Sequence, residues 1–127
     1  MAEIVVSADC GNSPKRILLK DLNIAFVTGD LDFVAGVVTD DITWTMVGDD
    51  SVQGKQPFLE TVRGMNGADV AKLTIHSVIT HGREGAANGT LELKNGKQYE
   101  FCDVFQFRGA KGTRIKSIRS YVIEIDT

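Results

Sequence analysis

The chain has 127 residues, of which 43% are hydrophobic and 24% charged, and its formal net charge is −3. A chain of this length fits one domain that buries roughly two-thirds of its unfolded surface. Its lysines and arginines are scattered rather than clustered, which excludes the basic surface that phosphate backbones require. We therefore expect no nucleic-acid partner.

The two cysteines, Cys10 and Cys102, match no metal-ligand spacing, and we expect no structural disulfide, as is usual in a reducing compartment. The first residues have no cationic region ahead of their brief apolar run, so a signal peptide is not evident. No apolar stretch approaches the roughly 20 residues that span a bilayer. These features predict a cytoplasmic protein without a membrane partner.

Residues 1–12 are interpreted as a tail or a short edge strand, ahead of a single domain over residues 13–127. Ser13-Pro14 predicts the start of a helix, because the serine hydroxyl can cap free backbone amides and proline costs little in a first turn. Apolar residues then recur at helical spacing as far as Gly29, a residue typical of the position just beyond a helix.

A second, short helix capped by Asp30 is predicted to end at Asp40-Asp41. Residues 42–47 alternate apolar and polar side chains and predict a strand. A third helix is predicted from residue 54 to about residue 66, with Gly67 as its stop. The first half of the chain is therefore expected to be mostly helical.

The second half of the chain predicts four strands in succession. They span about residues 70–81, 85–94, 97–108 and 113–125. Asn95-Gly96 is a strong hairpin signal between the second and the third. This order predicts an α+β fold, with three N-terminal helices packed in the concave face of a strongly curved, mostly antiparallel sheet. The convex face, with apolar residues such as Val78, Val104 and Tyr121, is then free to pair with a second copy, and we expect a homodimer.

The third of these strands has an unusual face. Side chains alternate along a strand, so one face carries four aromatic rings and one carboxylate: Tyr99, Phe101, Asp103, Phe105 and Phe107. A carboxylate on an apolar face is costly unless it is neutralised, hydrogen-bonded or directed into a cavity. The pattern therefore predicts a pocket with a polar centre at Asp103.

The order helix, helix, strand, helix and four long strands resembles the nuclear transport factor 2-like superfamily, a cone-shaped α+β fold. The resemblance covers about residues 13–125. It is carried by residues 26–34, 101–107, 112–115 and 120–122, and by residues 40–44 together with 52–54, a combination typical of SnoaL-like members. The family houses isomerases, epoxide hydrolases, dehydratases, cyclases and non-catalytic binding modules, so the resemblance implies the fold more closely than the activity.

The resemblance also implies roles for single positions. Asp103 matches the aspartic acid with which ketosteroid isomerases donate to an oxyanion. The tyrosine donor of those enzymes falls at Leu22 and their general base at Met46, so steroid isomerisation by that route is disfavoured. The closing-strand aspartate of limonene-epoxide hydrolases falls at Ser120, and their arginine–aspartate pair has no match.

Asp103 is the candidate catalytic residue. In an apolar pocket its neutral form is favoured and can donate to a carbonyl, whereas its charged form can act as a general base. The alternative is a structural carboxylate bonded to Asn88, Trp44 or backbone amides. The candidate ligand-binding residues are Trp44, Met46, Asn88, Tyr99, Phe101, Phe105, Leu22, Phe26 and Ser120. For the aromatic and aliphatic members, ordinary core packing is the competing interpretation.

Asn88 is expected on the inward side of its strand, where its amide could orient Asp103, unless Gly89 marks a β-bulge that changes the alternation. His76 is expected on the outer face of the sheet, which disfavours a role as general base. With His81 in a turn, the histidines predict no metal site. No phosphate-binding or dinucleotide motif occurs, and no cofactor is expected.

The leading functional hypothesis is a SnoaL-like small-molecule pocket protein. Its ligand would be apolar, with one carbonyl or hydroxyl group near Asp103. If the protein is an enzyme, those residues support cofactor-free proton transfer in an isomerisation, a dehydration or a cyclisation. The alternative is a non-catalytic ligand-binding or dimeric assembly module whose pocket is filled or vestigial.

Overall fold

The computed structural model describes residues 2–7, 13–65, 69–109 and 112–125. Within this part of the chain no helix is long and apolar enough to cross a membrane. The elements in chain order are β1 (Glu3–Val6), α1 (Pro14–Thr28), α2 (Leu31–Val37), β2 (Val38–Met46), β3 (Ser51–Gln53), α3 (Lys55–Gly64), β4 (Val70–His81), β5 (Glu84–Leu93), β6 (Gln98–Phe107) and β7 (Ile115–Ile125).

The two ends of α1 follow from local chemistry. The Ser13 hydroxyl accepts from the Arg16 backbone N–H at 3.4 Å, and Pro14 occupies the first helical position. At the other end Gly29 has a φ of 75°, which glycine adopts without steric cost, and its N–H donates to the Ala25 carbonyl. Both predicted helix boundaries are confirmed.

The second helix is shorter than predicted. Asp30 caps α2 by accepting from the Phe33 N–H at 3.1 Å, as expected. The prediction that Asp40-Asp41 end this helix is wrong, because β2 already begins at Val38 and both carboxylates lie exposed within it. The β-branched residues Val38 and Thr39 favour a strand there. The predicted stop of the third helix, Gly67, lies outside the described residues.

In the described part of the chain, seven strands form one mixed sheet in the order β1-β4-β5-β6-β7-β2-β3. The four long strands β4 to β7 pair antiparallel, which confirms the predicted meander. β1 and β2 join the meander through parallel pairings, with β4 and with β7 respectively. The three-residue strand β3 was not predicted, because so short a segment carries no readable alternation.

The helices cover one face of this sheet. α1 packs against β4 and β5, and α3 packs against β2. The largest fully buried side chains come from both layers, among them Leu19, Leu22, Phe58, Phe105 and Phe107. The α+β class is therefore confirmed, with three helices on a mostly antiparallel sheet among the residues that the structure describes.

A β-bulge interrupts the pairing of β4 with β5. Ile75 pairs with Gly89 and Ser77 with Asn88, so His76 is an extra residue on β4. Beyond the bulge the alternation changes, and Val78 points into the core, where it is 2% exposed. The expectation that Val78 belongs to the outer face is therefore wrong. His76 lies exposed on the outer face, as predicted, with Nε2 2.9 Å from Thr90 Oγ1.

The outer face of the sheet carries exposed apolar side chains, namely Ile79, Tyr121 and Ile123. Val104 of β6 is only partly exposed on the same face. The homodimer through this face stays a prediction.

Candidate functional site

Asp103 lies in the middle of the sheet. β6 places it opposite Ala87 of β5 and opposite Ser120 of β7. It is 7% exposed, and the neighbouring residues on its face, Phe101 and Phe105, are also buried. The alternation predicted for this strand is confirmed, and its carboxyl group is directed to the helix-covered side.

A cavity of about 400 Å³ lies beside this carboxyl group, between α1 and the sheet. Its wall is largely apolar, and the polar side chains in it are Asn23, Tyr99, Asp103 and Ser120. Met65 and Val122 also line it and are 41% and 51% exposed, so the cavity wall reaches the surface at these residues. The volume lies within the range of about 300–1,000 Å³ that is usual for ligand pockets.

A chain of hydrogen bonds ends at Asp103. The Trp44 indole N–H donates to Ser120 Oγ at 2.9 Å, and the Ser120 hydroxyl is hydrogen-bonded to the Asp103 carboxyl group. Because Ser120 Oγ accepts from the indole, its own proton is available to the carboxylate. The indole is held by stacking on Phe26, with 5.9 Å between ring centroids, and by an edge contact with Phe58 at 5.3 Å.

Burial sets the acidity of Asp103. Removal from water disfavours the anion and raises the pKa of this carboxyl group from 3.8 to about 6, while the hydrogen bond from Ser120 opposes part of that rise. At neutral pH roughly a tenth of the molecules would then carry the protonated acid. Both a hydrogen-bond donor and a proton acceptor are thus available at one position.

Most of the predicted ligand-binding residues lie in the cavity wall. They are Trp44, Met46, Tyr99, Phe101, Phe26 and Ser120, together with the candidate catalytic Asp103. The structure places Leu22 and Phe105 elsewhere: both are fully buried in the core between the helices and the sheet.

The expectation that Asn88 points inward is wrong. Asn88 is exposed on the outer face, where it bonds to the Ser77 hydroxyl. The bulge expected at Gly89 exists, but its extra residue is His76 on β4, so the alternation of β5 is unchanged. Asn88 points outward because it pairs with Cys102, which lies between the inward-pointing Phe101 and Asp103. The Trp44 N–H donates to Ser120, and Asn88 bonds to Ser77 on the other face of the sheet. Of the partners named in the structural alternative, neither of these two side chains therefore bonds to Asp103 itself.

Sequence reasoning missed Asn23. This residue follows Leu22 on α1, lines the cavity and is 5% exposed. Its position four residues after Leu19 and three before Phe26 places it on the apolar face of the helix. An amide on such a face was a readable signal of a polar contact.

Comparison with known proteins agrees with this fold. Residues 20–115 match the family model of the SnoaL-like domain. No curated protein matches the sequence. A nuclear transport factor 2-like protein of unknown function from Cytophaga hutchinsonii ATCC 33406 is 25% identical, with a TM-score of 0.67 over 84% of this chain and 97% of that one.

Two further solved structures share the fold at lower identity. An LEH-like epoxide hydrolase from M. tuberculosis is 23% identical, with a TM-score of 0.69 over 84% of this chain and 80% of that one. A candidate ketosteroid isomerase from Kribbella flavida DSM 17836 is 13% identical, with a TM-score of 0.75 over 89% and 80%. The chain belongs to the SnoaL-like domain family and has the nuclear transport factor 2-like fold.

Proposed function

We propose that this chain is a small-molecule pocket protein whose cavity takes an apolar ligand with one carbonyl or hydroxyl group beside Asp103. The observation that carries the proposal is a buried carboxyl group, 7% exposed, in the wall of a largely apolar cavity of about 400 Å³. A carboxyl group placed there loses hydration, and a polar ligand atom restores a hydrogen-bond partner. The surrounding hydrocarbon and aromatic surface supplies most of the affinity.

Proton transfer is the chemistry that fits this position. The carboxylate takes a proton from the carbon next to a ligand carbonyl; the C–H electron pair forms a C=C bond, and the carbonyl oxygen takes the negative charge. The acid so formed returns the proton to the same or a conjugated carbon. A pKa of about 6 keeps both states of Asp103 accessible near neutral pH. Isomerisation, dehydration and cyclisation all contain such a step.

Non-catalytic binding is the competing function. By the family resemblance, the tyrosine donor and the general base of ketosteroid isomerases correspond to Leu22 and Met46, which cannot take either role. Asp103 is the one carboxyl group among the described residues of the cavity wall. A site with a single acid can bind a carbonyl ligand without turning it over.

The test uses decalone, a bicyclic ketone, and decalin, its hydrocarbon parent. Binding is followed by NMR, and exchange of the protons next to the carbonyl is followed by mass spectrometry in heavy water. We expect decalone to bind more tightly than decalin, and Asp103→Asn to remove the exchange. Asp49→Asn, a change in an exposed turn, is the matched control and should leave both properties unchanged.

Each outcome distinguishes the alternatives. Exchange that is faster than in buffer and depends on Asp103 supports proton transfer. Decalone binding that depends on Asp103 without exchange supports the binding module. If neither compound binds, or if both bind equally in the wild type and in Asp103→Asn, the pocket proposal is wrong.

A further inference from the structure

Asn23 is the one polar side chain that α1 contributes to the cavity wall. Its Nδ2 donates to the backbone carbonyl of Leu19, one turn earlier, at 3.1 Å. Because a carbonyl oxygen only accepts hydrogen bonds, this contact fixes which amide atom is the nitrogen. The amide oxygen, Oδ1, is therefore the atom left for another partner.

The amide of Asn23 keeps unused hydrogen-bonding capacity. Within the described part of the chain, its Oδ1 and its second N–H have no partner. The residue is nevertheless 5% exposed and lies among apolar neighbours, including Leu22 and Phe26. A leucine would fill this position on the helix without desolvating an amide. The asparagine is therefore best explained by a polar group that enters the cavity.

The polar atoms of the cavity lie in two different layers. Asn23 belongs to the helix layer, whereas Tyr99, Asp103 and Ser120 belong to the sheet. No hydrogen bond joins Asn23 to any of these three in the described structure. The wall around them is apolar, with Phe26 and Leu73 among its residues. A ligand that forms hydrogen bonds both with Asn23 and with Asp103 needs two polar groups on one apolar skeleton.

We infer that the ligand is such a two-group molecule, an apolar hydroxy-ketone or diol whose hydroxyl group pairs with the Asn23 amide while its other oxygen pairs with Asp103. This inference rests on the proposed function, because it concerns the same cavity. A hydroxyl group fits Asn23 because it can donate to Oδ1 and accept from the free N–H. A carbonyl would leave Oδ1 unpaired, and a carboxylate would add only acceptors beside it.

The experiment compares decalone with hydroxydecalones that carry one hydroxyl group on the ring remote from the carbonyl. Affinities are measured by NMR titration for the wild type, Asn23→Leu and Asn23→Ala, and the isomer that the wild type binds most tightly is used throughout. We expect that isomer to bind the wild type about three- to tenfold more tightly than decalone, the gain expected from one hydrogen bond. Both Asn23 variants should lose this gain and keep their affinity for decalone.

Asn88→Ala is the matched control, because it removes an asparagine from the outer face of the same fold. It should keep the full preference for the hydroxylated compound. Two Asn23 variants are used so that the result can be decided even if only one of them folds, as judged by its thermal transition. Leucine fills the space of the amide, and alanine leaves it open.

The two proposals fail in different ways. If decalone binds and Asp103→Asn weakens it, but the hydroxyl group adds no affinity or its gain survives in the Asn23 variants, only the role of Asn23 is wrong. If the wild type binds neither compound, the pocket proposal and this inference are both wrong. If the Asn23 variants lose the preference for the hydroxylated compound while Asn88→Ala keeps it, the inference is supported.

Discussion

The indole N–H of Trp44 and the hydroxyl oxygen of Ser120 lie 2.9 Å apart, in a hydrogen bond that links β2 to β7. The two residues are 76 positions apart in the chain, and Ser120 stands directly opposite Asp103 on the neighbouring strand. The environment of the central carboxyl group is thus fixed by a contact that exists only in the folded sheet. The indole N–H orients the serine, and the serine hydroxyl in turn supports the carboxylate.

Ser120→Ala should destabilise the protein. The substitution leaves the buried Trp44 N–H without its acceptor, which costs about 1–3 kcal/mol. It also removes the hydrogen bond that lowers the pKa of Asp103, so this pKa should rise further. Urea unfolding measures the first effect. Ser117→Ala, on the same strand with a 3.4 Å contact to Gln106, is the control and should change stability by less than about 0.5 kcal/mol. Equal effects of the two changes would contradict the hydrogen-bond chain.

Asp103→Asn should stabilise the protein in a pH-dependent way. The folded-state pKa of Asp103 is raised from 3.8 to about 6, so its contribution to stability is present below the unfolded pKa and is lost as the pH rises through about 6. Asparagine cannot ionise, so the variant should gain about 3 kcal/mol near pH 8 and less than about 1 kcal/mol near pH 4.

Urea unfolding at both pH values checks this expectation. Asp49→Asn, in an exposed turn, is the control and should show little difference between them. A destabilised Asp103→Asn protein at the higher pH would show that the carboxylate is a structural anion with strong partners. The raised pKa of Asp103, and with it the argument for a ligand, would then be wrong.

Gly89→Ala should be strongly unfavourable although it adds one methyl group. A Cβ atom at this position would lie 2.0 Å from the Thr74 carbonyl oxygen and 2.9 Å from the Phe101 ring. Backbone must move to admit it, at a cost of about 1–3 kcal/mol or more, and the Phe101 wall of the cavity moves with it. Gly36→Ala, in α2 with open space around it, should instead stabilise by roughly 0.5–1 kcal/mol. Thermal unfolding of both variants measures these effects. Similar, small changes in their stability would contradict the close contacts at Gly89.

Val122→Trp should close the cavity without unfolding the protein. Val122 lines the cavity and is half exposed, so the ring system of a tryptophan there can cover the entrance at little cost to packing. We expect decalone affinity to fall by about tenfold or more, which corresponds to about 1.4 kcal/mol. Val47→Trp, at a similarly exposed valine outside the cavity wall, should leave the affinity unchanged. Undiminished binding in Val122→Trp would place the entrance elsewhere.

Much of the fold was readable from short-range signals. The Ser13 cap, the Gly29 stop and the alternation of β6 depend on neighbouring residues, and they were predicted correctly. Asp103 was found because a carboxylate among aromatic rings on one strand face is visible without any knowledge of the partners. The family resemblance identified the fold because it summed many such local signals along the chain.

The remaining features depend on contacts between distant segments. Asn88 was assigned to the wrong face because β5 carries small or polar residues on both faces, and only its pairing with β6 determines which face points inward. Leu22 and Phe105 have the same local pattern as true wall residues, and only packing separates the core from the cavity. The bond from Trp44 to Ser120 requires the parallel pairing of β2 with β7, which no local signal indicates.

The most direct test of the account is an NMR titration of the Asp103 carboxyl carbon, without and with decalone. We expect a midpoint near pH 6 in the free protein, in line with the raised pKa of this group. Decalone should move the midpoint upward, because a carbonyl oxygen that accepts a hydrogen bond from the protonated acid favours the neutral form. A midpoint near 3.8 that is insensitive to decalone would contradict the account, since the carboxyl group would then be solvated and would face no ligand.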